Sequence, residues 1–472
     1  MGNNRLNEKN NSCLKFPIFL TIAYLVFSLF VYVICPYNWP TQKPVLFYGL
    51  NIMYILALFL GYMVGQRQSV SLQIIEWNEE KTEKLIKVVS VLVIFNFVFY
   101  IIHIFRTYAF ATPDFVGLFK EMLVGLKNPG VGYKTNYLRQ QTLDGPNVLG
   151  GTAFTILNLG WGFIKNIVII LAMIFFKKLK IYGKIFTVLY LVTVVVFYIS
   201  IGTNIQFLHV LLLLEIPVIV ETFQKWHKKE INYKAIIKLV VFVLVGCILL
   251  LSYFGWMMES RSEASDYEIV EYEIGGIKPS VEPSEEPSEE PIEGPEKPIV
   301  DKKPSKLTNL WYSFSSYLTQ GYYAMSQALD VEWTPMFGLG GSMWVVDIIS
   351  HNIYDIDQFT YQVKLEEFGW DSDVRWHSMY TWLANDFSFY GVIIAMFFIG
   401  LLFGGMFKDA IKNKNPFALA SIFFFMLMMI FIPCNNQIGQ TNDNLCPFIL
   451  LVLVWLLCKR EKGPKIFKSK QQ

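Results

Sequence analysis

The chain has 472 residues, 54% of them hydrophobic, 16% aromatic and only 17% charged, with a formal net charge of +2. So greasy a chain excludes an ordinary soluble domain and marks a polytopic membrane protein. The net charge decides little; where the charges lie decides more, and no nucleic-acid partner is expected.

The first fifteen residues, "MGNNRLNEKNNSCLK", precede an apolar run with no small-residue cleavage site after it, so that run reads as a permanent first span. A hydrocarbon core of about 30 Å needs about 20 apolar residues per helix. Ten windows qualify: 17–36, 45–65, 86–105, 153–176, 185–201, 205–223, 236–254, 387–407, 416–433 and 444–458. The expected fold is therefore all-α and polytopic, with about ten spans.

Basic residues orient these spans. With the N-terminus cytoplasmic, the inside segments carry Arg5, Lys9 and Lys15; Arg67, Lys81, Lys84 and Lys87; Lys177, Lys178, Lys180 and Lys184; Lys225, Lys228, Lys229 and Lys234; Lys408, Lys412 and Lys414; and a basic tail from Lys459. The short outside segments hold one lysine in 37–44 and none in 198–204 or 434–443. Both termini are thus expected in the cytoplasm. Two outside segments are long, 106–152 and 255–386, which puts the non-membrane mass outside. The chain divides into a seven-helix part (1–254), a large outer loop (255–386) and a three-helix part with a basic tail (387–472).

Within the large loop, 278–304 begins with "KPSVEPSEEPSEEPIEGPEKP", a Pro-rich acidic tract expected to stay extended and disordered. The remainder, 307–386, is expected to form amphipathic helices on the membrane surface or the bundle. In 307–329, Leu310, Phe314, Tyr317 and Leu318 share one face. Most such aromatics serve packing, although aromatic faces also suit sugars. Of the six cysteines, Cys434 and Cys446 flank the last outer segment, but spacing alone does not show that their thiols meet.

The sequence has no Walker loop, GxGxxG, HExxH or GxSxG, so the usual signatures of ATP-driven transport, nicotinamide chemistry, zincin proteolysis and serine hydrolysis are missing. No cofactor and no required metal are expected; the acid pairs at 355–357 and 371–373 are ordinary loop spacings. What remains is a set of outer charges. Of seven arginines, Arg139, Arg261 and Arg375 sit close to expected membrane ends. Outer positive charge runs against the topological bias, and guanidinium binds phosphate bidentately, so the three together suggest an anion site. His377, with an ordinary pKa near neutrality, is the candidate base. Were 375–388 one helix, Arg375, Met379, Trp382 and Asp386 would form one stripe and His377, Thr381, Ala384 and Ser388 another, so Asp386 could not pair with His377. A break near Asn385 reopens that pairing, and Asp386 could instead be a helix cap. His351 is a weaker candidate. His103, His209 and Glu215 lie within spans, where packing competes with function.

The stretch "MYTWLANDFSFYG" (379–391) resembles a "YT…DFG…G" pattern found after the large outer loop of bacterial Wzy-type oligosaccharide repeat-unit polymerases, with Ser388 where that family often has Gly. "YLTQGYYAM" (317–325) and "GLGGSMW" (338–344) resemble two further stretches of that family. Arg139 with Gly150, and Arg375 with Gly391, match its Arg-x10-Gly and Arg-x15-Gly spacings; the acidic tract is not a family feature. The resemblance implies a GT-C-like membrane glycosyltransferase of surface-polysaccharide (O-antigen or capsule) biosynthesis in the bacterial cytoplasmic membrane. It implies that the growing glycan leaves undecaprenyl diphosphate for a sugar hydroxyl of the next lipid-linked repeat at the outer face. A flippase and a chain-length regulator are the implied partners. In that frame Arg139 and Arg261 hold diphosphates with Arg375 assisting, His377 or Asp386 is the base, and Lys134, Tyr317, Gln320, Tyr380 and Thr381 line the substrate path. A related glycan ligase and a flippase or transporter are the competing readings.

Overall fold

A computed structural model describes residues 12–37, 39–67, 72, 74–142, 149–231, 233–265, 306–372 and 375–459. The Pro/Glu-rich tract and the basic tail beyond 459 lie outside the described residues.

Every apolar window becomes helix. The long ones are α1 (Ser12–Ile34), α2 (Pro44–Arg67), α3 (Glu79–Thr107), α8 (Ile181–Ser200), α9 (Ile205–His227), α10 (Tyr233–Ser265) and α14 (Met379–Lys412). These seven are long and apolar enough to cross a membrane. Between α3 and α8 lie α4 (Phe115–Lys127), α5 (Pro129–Thr142), α6 (Gly151–Gly162) and α7 (Lys165–Ile174). After α10 come α11 (Lys306–Ala328), α12 (Met343–Asn352) and the single turn α13 (Tyr361–Lys364); after α14 come α15 (Pro416–Phe431) and α16 (Asn442–Leu457). The chain is a predominantly helical, multi-pass membrane protein, with Ile75–Glu76 pairing in parallel with Cys458–Lys459 among the described residues.

Two expectations need correction and one open alternative is decided. The window 153–176 is not one straight span: its two helices meet at 46° across Phe163–Ile164. Asn96 bridges the break, its Nδ2 donating to the Lys165 carbonyl (3.2 Å) and its Oδ1 accepting from Trp161 Nε1 (3.0 Å). Irregular backbone at membrane depth persists only where such partners exist. Nor is 375–388 one helix. The Ser378 side chain caps α14, accepting from the Thr381 N–H (3.2 Å), so Arg375 and His377 precede the helix. Within α14, Ser388 leaves helical geometry at φ 56°, ψ 165°, and kinks it. Finally, α10 does not stop at 254. It runs on to Ser265 and carries Arg261 near its end.

The core seam is α2 against α14. A Cβ on Gly61 would fall on the Phe397 carbonyl and one on Gly65 on the Leu401 carbonyl; reciprocally, Gly400 meets Leu58 and Gly404 meets Tyr62. Both helices thus present G-x-x-x-G, which lets two backbones touch where lipid supplies no hydrophobic drive between helices.

At 16 residues each, α15 and α16 are about 24 Å long, shorter than a hydrocarbon core. Their link is sunk into the protein, with Cys434, Asn435, Asn436, Gln437 and Ile438 buried. The segment before α12 covers it: Asn436 Nδ2 donates to the Gly341 carbonyl (2.7 Å) and Ser342 Oγ to the Gly439 carbonyl (2.7 Å). Cys434 and Cys446 are both free thiols. The expected amphipathic helix in the large loop is α11, packed on the bundle; its stretch from Leu318 to Ser326 is buried, and Trp39 Nε1 donates to Thr319 Oγ1 (2.8 Å).

Candidate functional site

Two of the three arginines meet at the end of α8. Gly125 of α4 and Gly132 of α5 both lie against the Ser200 carbonyl, and Gly202, at φ +64°, lies against the Pro129 carbonyl. Only residues without a Cβ permit that approach. Ser260 Oγ accepts from the Gly130 N–H (2.9 Å) and donates to Asn128 Oδ1 (3.2 Å), which ties α10 to the start of α5. The Arg261 guanidinium then lies 3.9 Å over the Tyr133 ring, and its Nε and Nη2 both donate to the Gly202 carbonyl. Arg139, buried on α5, lies 4.9 Å over the Tyr108 ring, and Tyr108 Oη shares a hydrogen bond with Ser200 Oγ (2.7 Å). Its charge is already answered, since Nη2 donates to the Glu121 carboxylate at 2.6 Å. Lys134 sits half-buried on the same helix.

Arg375 stands apart from this pair. It lies 4.7 Å over Trp370, whose ring packs on Tyr323 (5.0 Å) and Trp39 (6.0 Å). The next residue bridges the two regions: the Trp376 ring meets Tyr317 edge-on at 5.0 Å, and its N–H donates to Gln320 Oε1 (3.3 Å). Burial pushes the Tyr317 phenol above its ordinary pKa, and the Arg261 charge within reach opposes that shift. Arg261, Tyr317, Gln320 and Trp376 thus form one continuous cationic and aromatic wall, joining α10, α11 and the strap before α14.

His377 is sealed, 2% exposed, and neither ring nitrogen has a partner among the described residues. Desolvation pushes its pKa down to about 3, so the imidazole is neutral at ordinary pH. The strap fixes it: the Ser378 N–H donates to the Gly321 carbonyl (3.4 Å) and the Met379 N–H to the Ile432 carbonyl (3.0 Å). Tyr380 is fully buried against Tyr54 (4.5 Å between rings) with its hydroxyl unpartnered among the described residues, and Thr381 belongs to the helix cap through Ser378 Oγ (3.0 Å).

Asp386 forms neither a dyad with His377 nor a cap on its own helix. Its Oδ1 accepts the Gly338 and Gly340 N–H groups (2.8 and 2.9 Å). Beside it, Asn385 Nδ2 donates to the Gly340 carbonyl and to Gln362 Oε1 (2.9 Å each), and Asn385 Oδ1 accepts from the Tyr361 N–H (2.9 Å). The Asn-Asp pair therefore clasps two loop segments to the top of α14. Local spacing could not show this, because every partner is at least 23 residues away.

The remaining candidates serve packing or lie apart. His103 and His209 rest against Phe197 (6.1 Å) and Phe423 (5.6 Å). Glu215 is buried facing Gly246, where a Cβ would lie 2.5 Å from its Oε1. His351 is exposed, its Nδ1 on the Asp347 carbonyl (2.8 Å). No group of three metal-ligating side chains occurs among the described residues.

One pair escaped the sequence reading. Lys165, in the first turn of α7, forms an ion pair with Asp443, in the first turn of α16. The signal was present, since Lys165 is a charge inside an apolar window.

These features define a class: a helical multi-pass membrane protein with a guanidinium and aromatic wall where its two long loops meet the bundle. Comparison with family models, curated proteins and solved structures finds no match.

Proposed function

We propose that the protein polymerises lipid-linked oligosaccharide repeat units at the outer face of the bacterial cytoplasmic membrane. Both termini are then cytoplasmic, and the wall described above faces outward. The growing glycan leaves undecaprenyl diphosphate for a sugar hydroxyl of the next lipid-linked repeat. The observation that carries this reading is the Arg261 cluster: a half-buried guanidinium stacked on Tyr133, with the Tyr317 phenol in reach, at the mouth of a helix bundle. A diphosphate leaving group needs such donors, sugar rings suit the aromatic faces of Tyr317 and Trp376, and a lipid carrier needs a site at the bundle's edge. Arg139 supports the cluster from beneath, with Glu121 as its resting partner.

The test is a reaction of the reconstituted protein with a lipid-diphosphate-linked repeat unit. A ladder of products supports polymerisation, whereas a single transferred band identifies a ligase. A second reading, a flippase or transporter, is favoured by one observation, the broken α6–α7 pair with its Lys165–Asp443 contact, because discontinuous helices often build transport sites. Accumulation of lipid-linked repeats on the inner leaflet of a deletion strain would support that reading instead.

A further inference from the structure

A groove lies between the first turns of α2 and the kinked part of α14. Its volume is about 600 Å³, within the roughly 300–1,000 Å³ of ordinary ligand sites. Val45, Leu46, Leu50 and Met53 of α2 and Tyr390 and Ile393 of α14 line it. Gly49 adds no side chain to fill it, and a Cβ built there would find nothing within 4 Å. On the other helix, α14 leaves helical geometry at Ser388, just before Tyr390. Further along, Gly61 and Gly400 bring the same two helices into backbone contact, so the groove ends where the glycine seam begins.

Depth and charge say which molecule fits. From Pro44 to Met53 the helix rises roughly 14 Å, close to one leaflet of a hydrocarbon core about 30 Å thick. Val45 and Tyr390 are exposed, so the groove opens sideways to lipid, and a tyrosine suits the headgroup level. Lys43 stands at the mouth of the groove and is the one charged residue of segment 37–44. Its ammonium donates to Asp330 Oδ1 (2.7 Å) and to the Leu329 carbonyl (2.8 Å). Two of its three protons are so committed, and the third has no acceptor among the described residues. An apolar trough one leaflet deep with a cation at its mouth matches an acyl chain beneath an anionic headgroup. An undecaprenyl chain is far longer than the trough and would overrun it.

We propose that this groove is a binding site for an anionic phospholipid, with one acyl chain between α2 and α14 and the head phosphate on Lys43. The lipid braces the two helices beyond the glycine seam, where their backbones no longer touch. The site stands whether or not the chain polymerises glycans.

Wild-type protein, Lys43→Gln and Gly49→Phe are reconstituted in nanodiscs of equal parts phosphatidylglycerol and phosphatidylcholine. Each preparation carries a trace of one lipid or the other with a photoreactive diazirine on an acyl chain, and adducts are mapped by mass spectrometry. Expected is labelling concentrated on Leu46, Met53 and Ile393, about fivefold stronger for phosphatidylglycerol, the preference one lysine gives near an anionic headgroup. Lys43→Gln should bring the two lipids level. Gly49→Phe should clear the groove of adducts while the exposed Ile248 and Leu249 of α10 stay labelled. Equal labelling by the two lipids in wild type, a preference kept by Lys43→Gln, or groove adducts undiminished in Gly49→Phe overturns the assignment. So does displacement of the label by a small proportion of polyprenyl diphosphate, which would make the groove a site for the carrier lipid. Should Gly49→Phe fail to elute as folded protein, the Lys43→Gln comparison decides alone.

Discussion

The Arg261 guanidinium lies 3.9 Å over the ring of Tyr133, on a helix that sequence places more than a hundred residues earlier. Stacking fixes the plane of the fork and leaves its edge to donate. Replacing Arg261 with Ala should lower polymer formation by at least about a hundredfold. Arg261→Lys should recover little, because a point charge neither stacks nor forks. Tyr133→Phe, which keeps the ring and with it the stacking, should cost less than tenfold. Initial rates of ladder formation across the three variants are the measurement; a fully active Arg261→Lys would mean that charge alone matters.

Ser388 holds φ 56°, ψ 165°, a conformation that only glycine adopts without strain. Beside it, the Tyr54 hydroxyl donates to the Phe389 carbonyl at 2.7 Å, a partner for backbone next to the kink. Ser388→Gly should therefore stabilise the protein by about 1 kcal/mol or more while leaving activity intact, and Ser388→Val should destabilise it. Thermal unfolding in detergent measures both. A lower midpoint for Ser388→Gly would show that the side chain, not the kink, is what the position requires.

The glycine seam predicts a steeper cost. Alanine at Gly61 or Gly400 puts a methyl on a carbonyl of the facing helix, so α2 and α14 must separate. A loss of about 1–3 kcal/mol is expected at each position. Gly49, with nothing within 4 Å of a built Cβ, is the control and should tolerate alanine. Equal midpoints for all three variants would mean that the seam does not hold the helices together.

Burial of His377 makes stability depend on pH. Its folded pKa, about 3, lies below the ordinary value near 6.5, so the unfolded chain binds the extra proton first. The contribution of neutral His377 is complete above about pH 6.5 and is lost as pH falls toward 3, at a limiting slope of about 1.4 kcal/mol per pH unit. Unfolding midpoints measured from pH 7.5 to 4.5 should fall on the acid side, and His377→Gln should flatten that fall. A variant with an unchanged slope would place the acid sensitivity elsewhere.

Apolar length made the helices legible in the sequence: all ten windows are helical, because burying or lipid-solvating a run of Leu, Ile, Val and Phe leaves the backbone few other ways to satisfy itself. The break at Phe163–Ile164 stayed hidden because both residues are apolar, and what stabilises the turn comes from Asn96 on another helix. The glycine repeats at 61–65 and 400–404 were visible but acquire meaning only when paired. The three arginines read as a group divide in space: Arg139 and Arg261 share the end of α8, whereas Arg375 rests on Trp370. The "YT…DF…G" frame was read for chemistry, yet its Asp386 fastens a glycine-rich loop, and Ser378 just ahead of the frame sets the start of the helix. Such roles depend on partners far along the chain, which no local spacing encodes.

The most direct test of the account is a single reconstitution. Purified protein in nanodiscs is given a lipid-diphosphate-linked repeat unit, and the products are resolved by size. Polymerisation predicts a ladder of products separated by one repeat unit, with lipid diphosphate released at each step, and its loss in Arg261→Ala. An unchanged lipid-linked repeat, or a single transfer with no ladder, would contradict it.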